Sequence, residues 1–125
     1  MRFQKHYTRE QVRALLPQVR PWLDDLLERR DKMDQHEEFL NAMRPQGTDL
    51  GGYAVNDWVR LLAEFRSLLS EFYLRDIEIK DLDRGLVDFP AIIGGKEVFL
   101  CWEKSEDDVE YWHDLDAGFG GREPL

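Results

Sequence analysis

The chain has 125 residues, with 17 Lys and Arg against 26 Asp and Glu, so its formal charge is −9. That length fits one domain, residues 1–125, and 42% apolar content is enough for a core. The negative charge excludes nucleic acid as a partner, and the longest apolar run, residues 98–102, is far below the ~20 that would place the chain in a membrane.

Thr8-Arg9-Glu10-Gln11 has the form of a capping box and opens a helix. Apolar residues then recur three and four apart at Val12, Leu15, Leu16, Val19, Leu23, Leu26, Leu27, Met33 and Leu40. Pro17 predicts a kink or a restart, and Pro21 suits the first turn of a restarted helix. Over 28–38 the stripe thins and the surface is solvated, with Asp25–Arg29 and Glu28–Lys32 as supporting pairs. From Pro17 to Met43 such a helix is roughly 40 Å long and overhangs a small domain. Pro45, Gly47, Gly51 and Gly52 mark a connection. A second helix runs from Asn56, its expected N-cap, to Leu74, and the short link predicts an antiparallel hairpin over 8–75.

After Arg75 the period changes to two. Four strands are expected over 77–82, 86–91, 96–102 and 109–114, with a tail to 125, so the fold class is α+β. A long kinked helical hairpin packs on a four-stranded antiparallel meander in the order ααββββ. Pro90 predicts a bulge or an end in the second strand.

Turn lengths set register, and register decides which side chains share a face. A three-residue first turn with Gly85 left-handed pairs Ile79 with Phe89. A two-residue Gly94-Gly95 turn pairs Phe89 with Leu100 and Asp88 with Cys101. A four-residue last turn pairs Leu100 with His113, Cys101 with Trp112, and Trp102 with Tyr111. His113 then joins Val87, Phe89, Leu100 and Trp102 on the face toward the helices. The other face carries Leu86, Asp88, Phe99, Cys101, Glu103, Glu110, Trp112 and Asp114.

That second face is where function is expected. Crowded carboxylates suit a hard divalent cation, with Asp88, Glu103, Glu110, Asp114 and His113 as candidate ligands, or they receive a basic protein segment. Phe99, Trp112 and Leu86 on the same face point to an interface between copies. His113 beside Asp114, with Asp88, supplies the candidates for acid–base catalysis. Neighbours in a strand point to opposite faces, however, so His113 and Asp114 do not act together on one substrate. His113 and Cys101 share a face only if the register changes by one residue. His36 lacks the second His of a zinc-protease helix. Phe119 and Arg122 are expected to anchor the tail, with Arg122 neutralising Asp88, Asp114 or Asp116.

The runs Gly85-Leu86-Val87-Asp88-Phe89-Pro90-Ala91, Leu100-Cys101-Trp102, Tyr111-Trp112-His113-Asp114-Leu115, Gly118-Phe119 and Gly121-Arg122 resemble a bacterial family. It is the one catalogued as domain of unknown function 2203. Tyr7-Thr8-Arg9-Glu10-Gln11 with Leu15-Leu16-Pro17 is similar to that family's opening, and residues 104–108 depart from its pattern. The resemblance supplies no activity, cofactor or catalytic residue.

The reading preferred from these features is a self-associating interaction module, with a metal-assisted hydrolase or other small-molecule enzyme as the alternative. A divalent metal is the cofactor that the alternative implies. The opening Met1-Arg2-Phe3-Gln4-Lys5-His6 lacks a signal-peptide stretch, and the lone Cys101 suits a reducing compartment, so a cytoplasmic location is expected.

Overall fold

The computed structural model describes residues 1–43 and 53–125, and the predicted turn residues Pro45, Gly47, Gly51 and Gly52 lie outside these. Helix α1 spans Arg9–Met43. Its capping box forms as expected: the Gln11 amide donates to Thr8 Oγ1 at 3.1 Å, and the Thr8 amide donates to Gln11 Oε1 at 3.0 Å. The restart expected at Pro17 does not occur, because the helix is continuous through Pro17 and Pro21. Both prolines are exposed and lie four residues apart, so the carbonyls that lose their donors face water. Helix α2 spans Tyr53–Tyr73, so Asn56 is an interior first-turn residue and not the cap. Tyr53 and Ala54 carry no breaker, and helix extends back through them.

The two helices run antiparallel. Trp22 meets Phe72 edge-on at 5.6 Å, while Arg29, further along α1, reaches Glu64, earlier in α2, at 3.3 Å. Arg29 thus spends its charge between helices, and of the two predicted pairs within α1 it is Glu28–Lys32 that forms, at 3.1 Å.

Strands β1 (Glu78–Asp81), β2 (Leu86–Ile93), β3 (Lys96–Glu103), β4 (Tyr111–Asp114) and β5 (Glu123–Pro124) form one antiparallel sheet in chain order. The fifth strand comes from the tail, whose Gly and Pro content hid it. Pro90 neither bulges nor ends β2, which continues to Ile93. Its ring lies past the end of β1, where no ladder donor is needed, and its carbonyl accepts from the Tyr7 amide at 2.7 Å. One sheet face packs on the helices: Val12, Leu16, Val19, Leu23 and Leu26 of α1 and Phe72 of α2 meet Val87, Phe89, Ala91, Val98, Leu100 and Trp102.

The β2–β3 register is the predicted one, with Asp88 opposite Cys101 and Phe89 opposite Leu100. Between β1 and β2, Ile79 faces Val87 and not Phe89, and a bulge follows before Asp81. A shift of two leaves each side chain on its expected face. The β3–β4 register is different in kind. Leu100 faces Trp112, Cys101 faces Tyr111, and Phe99 faces His113, one residue away from expectation. Every β4 side chain therefore changes face.

The cause is the connection between β3 and β4, which is tied to α1. Arg20 donates to the carbonyls of Lys104 at 2.8 Å and Glu106 at 2.7 Å, and Arg13 clasps Asp108 with two bonds of 2.9 and 2.7 Å. Lys104 also pairs with Asp24. Val109, fully buried, is thereby drawn into the core instead of the ladder. Local turn chemistry carries no sign of this, because the contacts come from far along the chain.

The second sheet face is covered too. Phe3 packs on Phe99 at 5.3 Å, and the Glu97 carboxylate accepts from the amides of Arg2 (2.7 Å) and Phe3 (3.1 Å), with His6 Nε2 at 2.6 Å. At the other end, Arg122 lies over the Tyr111 ring at 4.0 Å and the Phe119 ring at 4.6 Å, and bonds Glu106 through both oxygens at 2.7 Å. Arg122 anchors the tail as predicted, but on Glu106 and not on Asp88, Asp114 or Asp116.

The Glu97 clasp makes a prediction. Burial pushes its carboxyl up, but the bonds from His6, Arg2 and Phe3 outweigh this and hold it at about 2, below the ordinary 4.5. A carboxyl with a depressed folded value stabilises above its unfolded value, and that contribution fades as pH falls through the folded one. The hold on the first residues is thus expected to weaken between pH 4.5 and about 2. In an NMR titration the Arg2 and Phe3 amide protons should shift with a midpoint near the lower limit. A midpoint near the ordinary value would show that the clasp is not formed.

Candidate functional site

The change of register assembles a group that the predicted pairing kept apart. Asp88 on β2, Cys101 on β3 and His113 on β4 lie side by side, each 1% exposed, on the face away from the helices. Within this group there are three ligand atoms, one from each side chain, that all fall within 4.8 Å of one another. His113 is buried as expected, but on the opposite face, packed against Phe99 at 5.5 Å.

Hydrogen bonding fixes the imidazole. His113 Nδ1 is 2.7 Å from the Asp114 carbonyl oxygen, which only accepts, so Nδ1 carries a hydrogen and donates. His113 Nε2 lies 2.9 Å from Asp88 Oδ2. Either the imidazole is neutral and a protonated Asp88 donates to Nε2, or the imidazolium donates to the carboxylate. One proton is shared in both cases. Burial pushes the Asp88 carboxyl above its usual range, against the opposing pull of His113, Cys101 and Lys80. Asp88 Oδ1 is buried and, among the described residues, meets no nitrogen or oxygen donor; the Cys101 thiol is the weak donor beside this carboxyl.

Burial also pushes the Cys101 thiol up to about 12, and the nearby Asp88 carboxylate adds to the rise. The thiol is therefore protonated at neutral pH and a poor nucleophile. Both imidazole nitrogens are engaged, by Asp114 and Asp88, so no nitrogen is left to activate Cys101.

The other carboxylates disperse. Glu103 pairs with Arg84 at 2.9 Å, and Asp114 pairs with Lys96 at 2.8 Å on an exposed edge. Glu110 is exposed, and its carbonyl accepts from the Leu125 amide. Of the five carboxylate and histidine ligands predicted, the fold brings together Asp88 and His113 and adds Cys101 in place of Glu103, Glu110 and Asp114.

The predicted interface residues need correction as well. Phe99 is fully buried beneath Phe3, Leu86 is buried, and Trp112 packs toward the helical core because β4 is turned over. Phe3, which packs on Phe99 next to His113, and Glu97, which holds the Phe3 amide, went unnoticed in the sequence. A short segment before the first helix gives no hint of where it folds back.

Among the described residues no helix is long and apolar enough to cross a membrane. No curated protein and no solved structure matches the chain. The family model described as uncharacterized conserved protein DUF2203 matches residues 5–125. Nearly the whole fold described above falls within that match, and the chain belongs to the DUF2203 family.

Proposed function

We propose that the protein is a cytoplasmic self-associating module in which α2 pairs with α2 of a second copy. One observation carries this reading. Trp58, Leu61, Phe65, Leu68 and Phe72 form the stripe of α2 that turns inward, with Phe72 in the core and Phe65 and Leu68 packed on it. A second stripe, Val55, Val59, Leu62, Arg66, Leu69 and Tyr73, lies roughly 100° around the same helix. Its spacings alternate between four and three, the pattern of a coiled-coil seam. Val59 is 53% exposed and Tyr73 is 80% exposed, so among the described residues this stripe is largely uncovered. Ala63 and Ser70 beside it are small enough to let a second helix approach.

An antiparallel two-fold pairing centred on Glu64 sets Val55 against the partner's Tyr73 and Val59 against the partner's Leu69. Leu62 then meets the aliphatic stem of the partner's Arg66, whose guanidinium reaches the rim. Two copies of a chain at −9 repel, so the attraction in this reading is apolar and the dimer strengthens with salt. A basic partner held by the acidic surface would show the opposite dependence.

Sedimentation equilibrium tests the reading. The wild type is expected to be a dimer. Val59→Glu acts twice in a symmetric interface and should weaken association about 100-fold, at about 1.5 kcal/mol per lost valine. An unchanged dimer for Val59→Glu and Leu69→Glu, or a wild-type monomer, would sink the proposal.

A further inference from the structure

We propose that Asp88, Cys101 and His113 bind one divalent transition metal ion of the zinc class, tying β2, β3 and β4 together on the face away from the helices. The donors are an oxygen, a sulfur and a nitrogen from three neighbouring strands, all within 4.8 Å. Zinc bonds of ~2.0–2.3 Å place tetrahedral ligands about 3.3–3.8 Å apart, so no pair needs to close by more than about 1 Å, and the strands stay where they are.

Two features prepare the site. Asp88 Oδ1 is a buried acceptor with no donor beside it stronger than the Cys101 thiol, an arrangement that costs free energy unless something positive approaches it. His113 donates Nδ1–H to the Asp114 carbonyl, which turns Nε2 toward Asp88; a backbone carbonyl in that role is a usual outer partner of a metal-bound histidine.

Charge and softness select the ion. A thiolate and a carboxylate with a doubly charged ion sum to zero, which suits a buried position. Loading releases two protons, one from the thiol and the one shared by Asp88 and His113. Sulfur among the ligands disfavours magnesium and calcium, which take oxygen, and favours zinc or cobalt. The three protein ligands leave a fourth position for water, but each ligating residue is sealed from solvent, so the ion acts as a cross-link of the sheet.

The test titrates the full-length chain with Co2+ alone, natively and during refolding from urea, followed by displacement with Zn2+. The expected result is one ion per chain, a near-ultraviolet thiolate-to-cobalt charge-transfer band, and a raised unfolding temperature. Cys101→Ser, a nearly isosteric change, should abolish the band and weaken Zn2+ binding roughly 100-fold, with the circular dichroism unchanged. A wild type that takes up no Co2+ by either route would overturn the site. So would Co2+ bound without the charge-transfer band, or Zn2+ affinity that survives Cys101→Ser. The monomeric Val59→Glu variant should load one ion per chain as well, which separates this result from the dimer.

Discussion

Replacing Asp88 by Ala is expected to cost about 3–5 kcal/mol of metal-free stability, because it leaves His113 buried without its partner. The imidazole is 1% exposed and water does not reach Nε2, so the lost bond at 2.9 Å has no substitute. Asp88→Asn should be far milder, about 1–2 kcal/mol, since the introduced amide donates to a neutral imidazole with Nδ1–H still on Asp114. Chemical denaturation with chelator present separates the two. The difference between the variants measures the polar pair, because both remove the charge and only Ala removes the donor. Equal losses would mean that neither the volume nor the donor at position 88 matters and that the lost carboxyl alone carries the effect.

Most of the fold was legible because local chemistry specified it. Thr8 and Gln11 announce the first helix, and the Gly94-Gly95 turn sets the β2–β3 register without outside help. The pair Asp88 and Cys101 was accordingly placed correctly from sequence. Its third member was not. The position of His113 depends on how many residues lie between β3 and β4, and that number follows from Arg13 and Arg20 holding Asp108, Lys104 and Glu106. A one-residue error there moved His113 and Trp112 to each other's faces. His113 was expected against the helices and is buried instead on the opposite face beside Asp88, while Trp112 packs on the helical core. The apparent aromatic patch vanished for a related reason: Phe99 is sealed by Phe3, a residue 96 positions away that belongs to no regular element. The second apolar stripe of α2 was visible in the spacing all along, but it merges with the first into one broad arc until α1 is seen to cover only half of it.

The same connection makes Gly85 a sensitive position. Its φ is +66°, and a Cβ there would stand 2.5 Å from Lys104 Cβ. That neighbour is attached to the backbone, so it cannot swing aside, and the Lys104 amide already donates to the Gly85 carbonyl at 3.1 Å. Gly85→Ala is therefore expected to lose about 2–5 kcal/mol, combining left-handed strain with the displaced strand. Gly94 serves as the control: its φ of +60° imposes similar strain, but nothing lies within 4 Å of an added Cβ. Gly94→Ala should cost only about 1–2 kcal/mol in the same urea titration. Because Lys104 opens the connection that determines how β4 pairs, relief of the clash at position 85 pushes on the register itself. His113 ring resonances should accordingly shift in Gly85→Ala and stay in place in Gly94→Ala. Similar losses for the two variants, or an unmoved His113, would show that the Gly85–Lys104 contact does not govern where β4 sits.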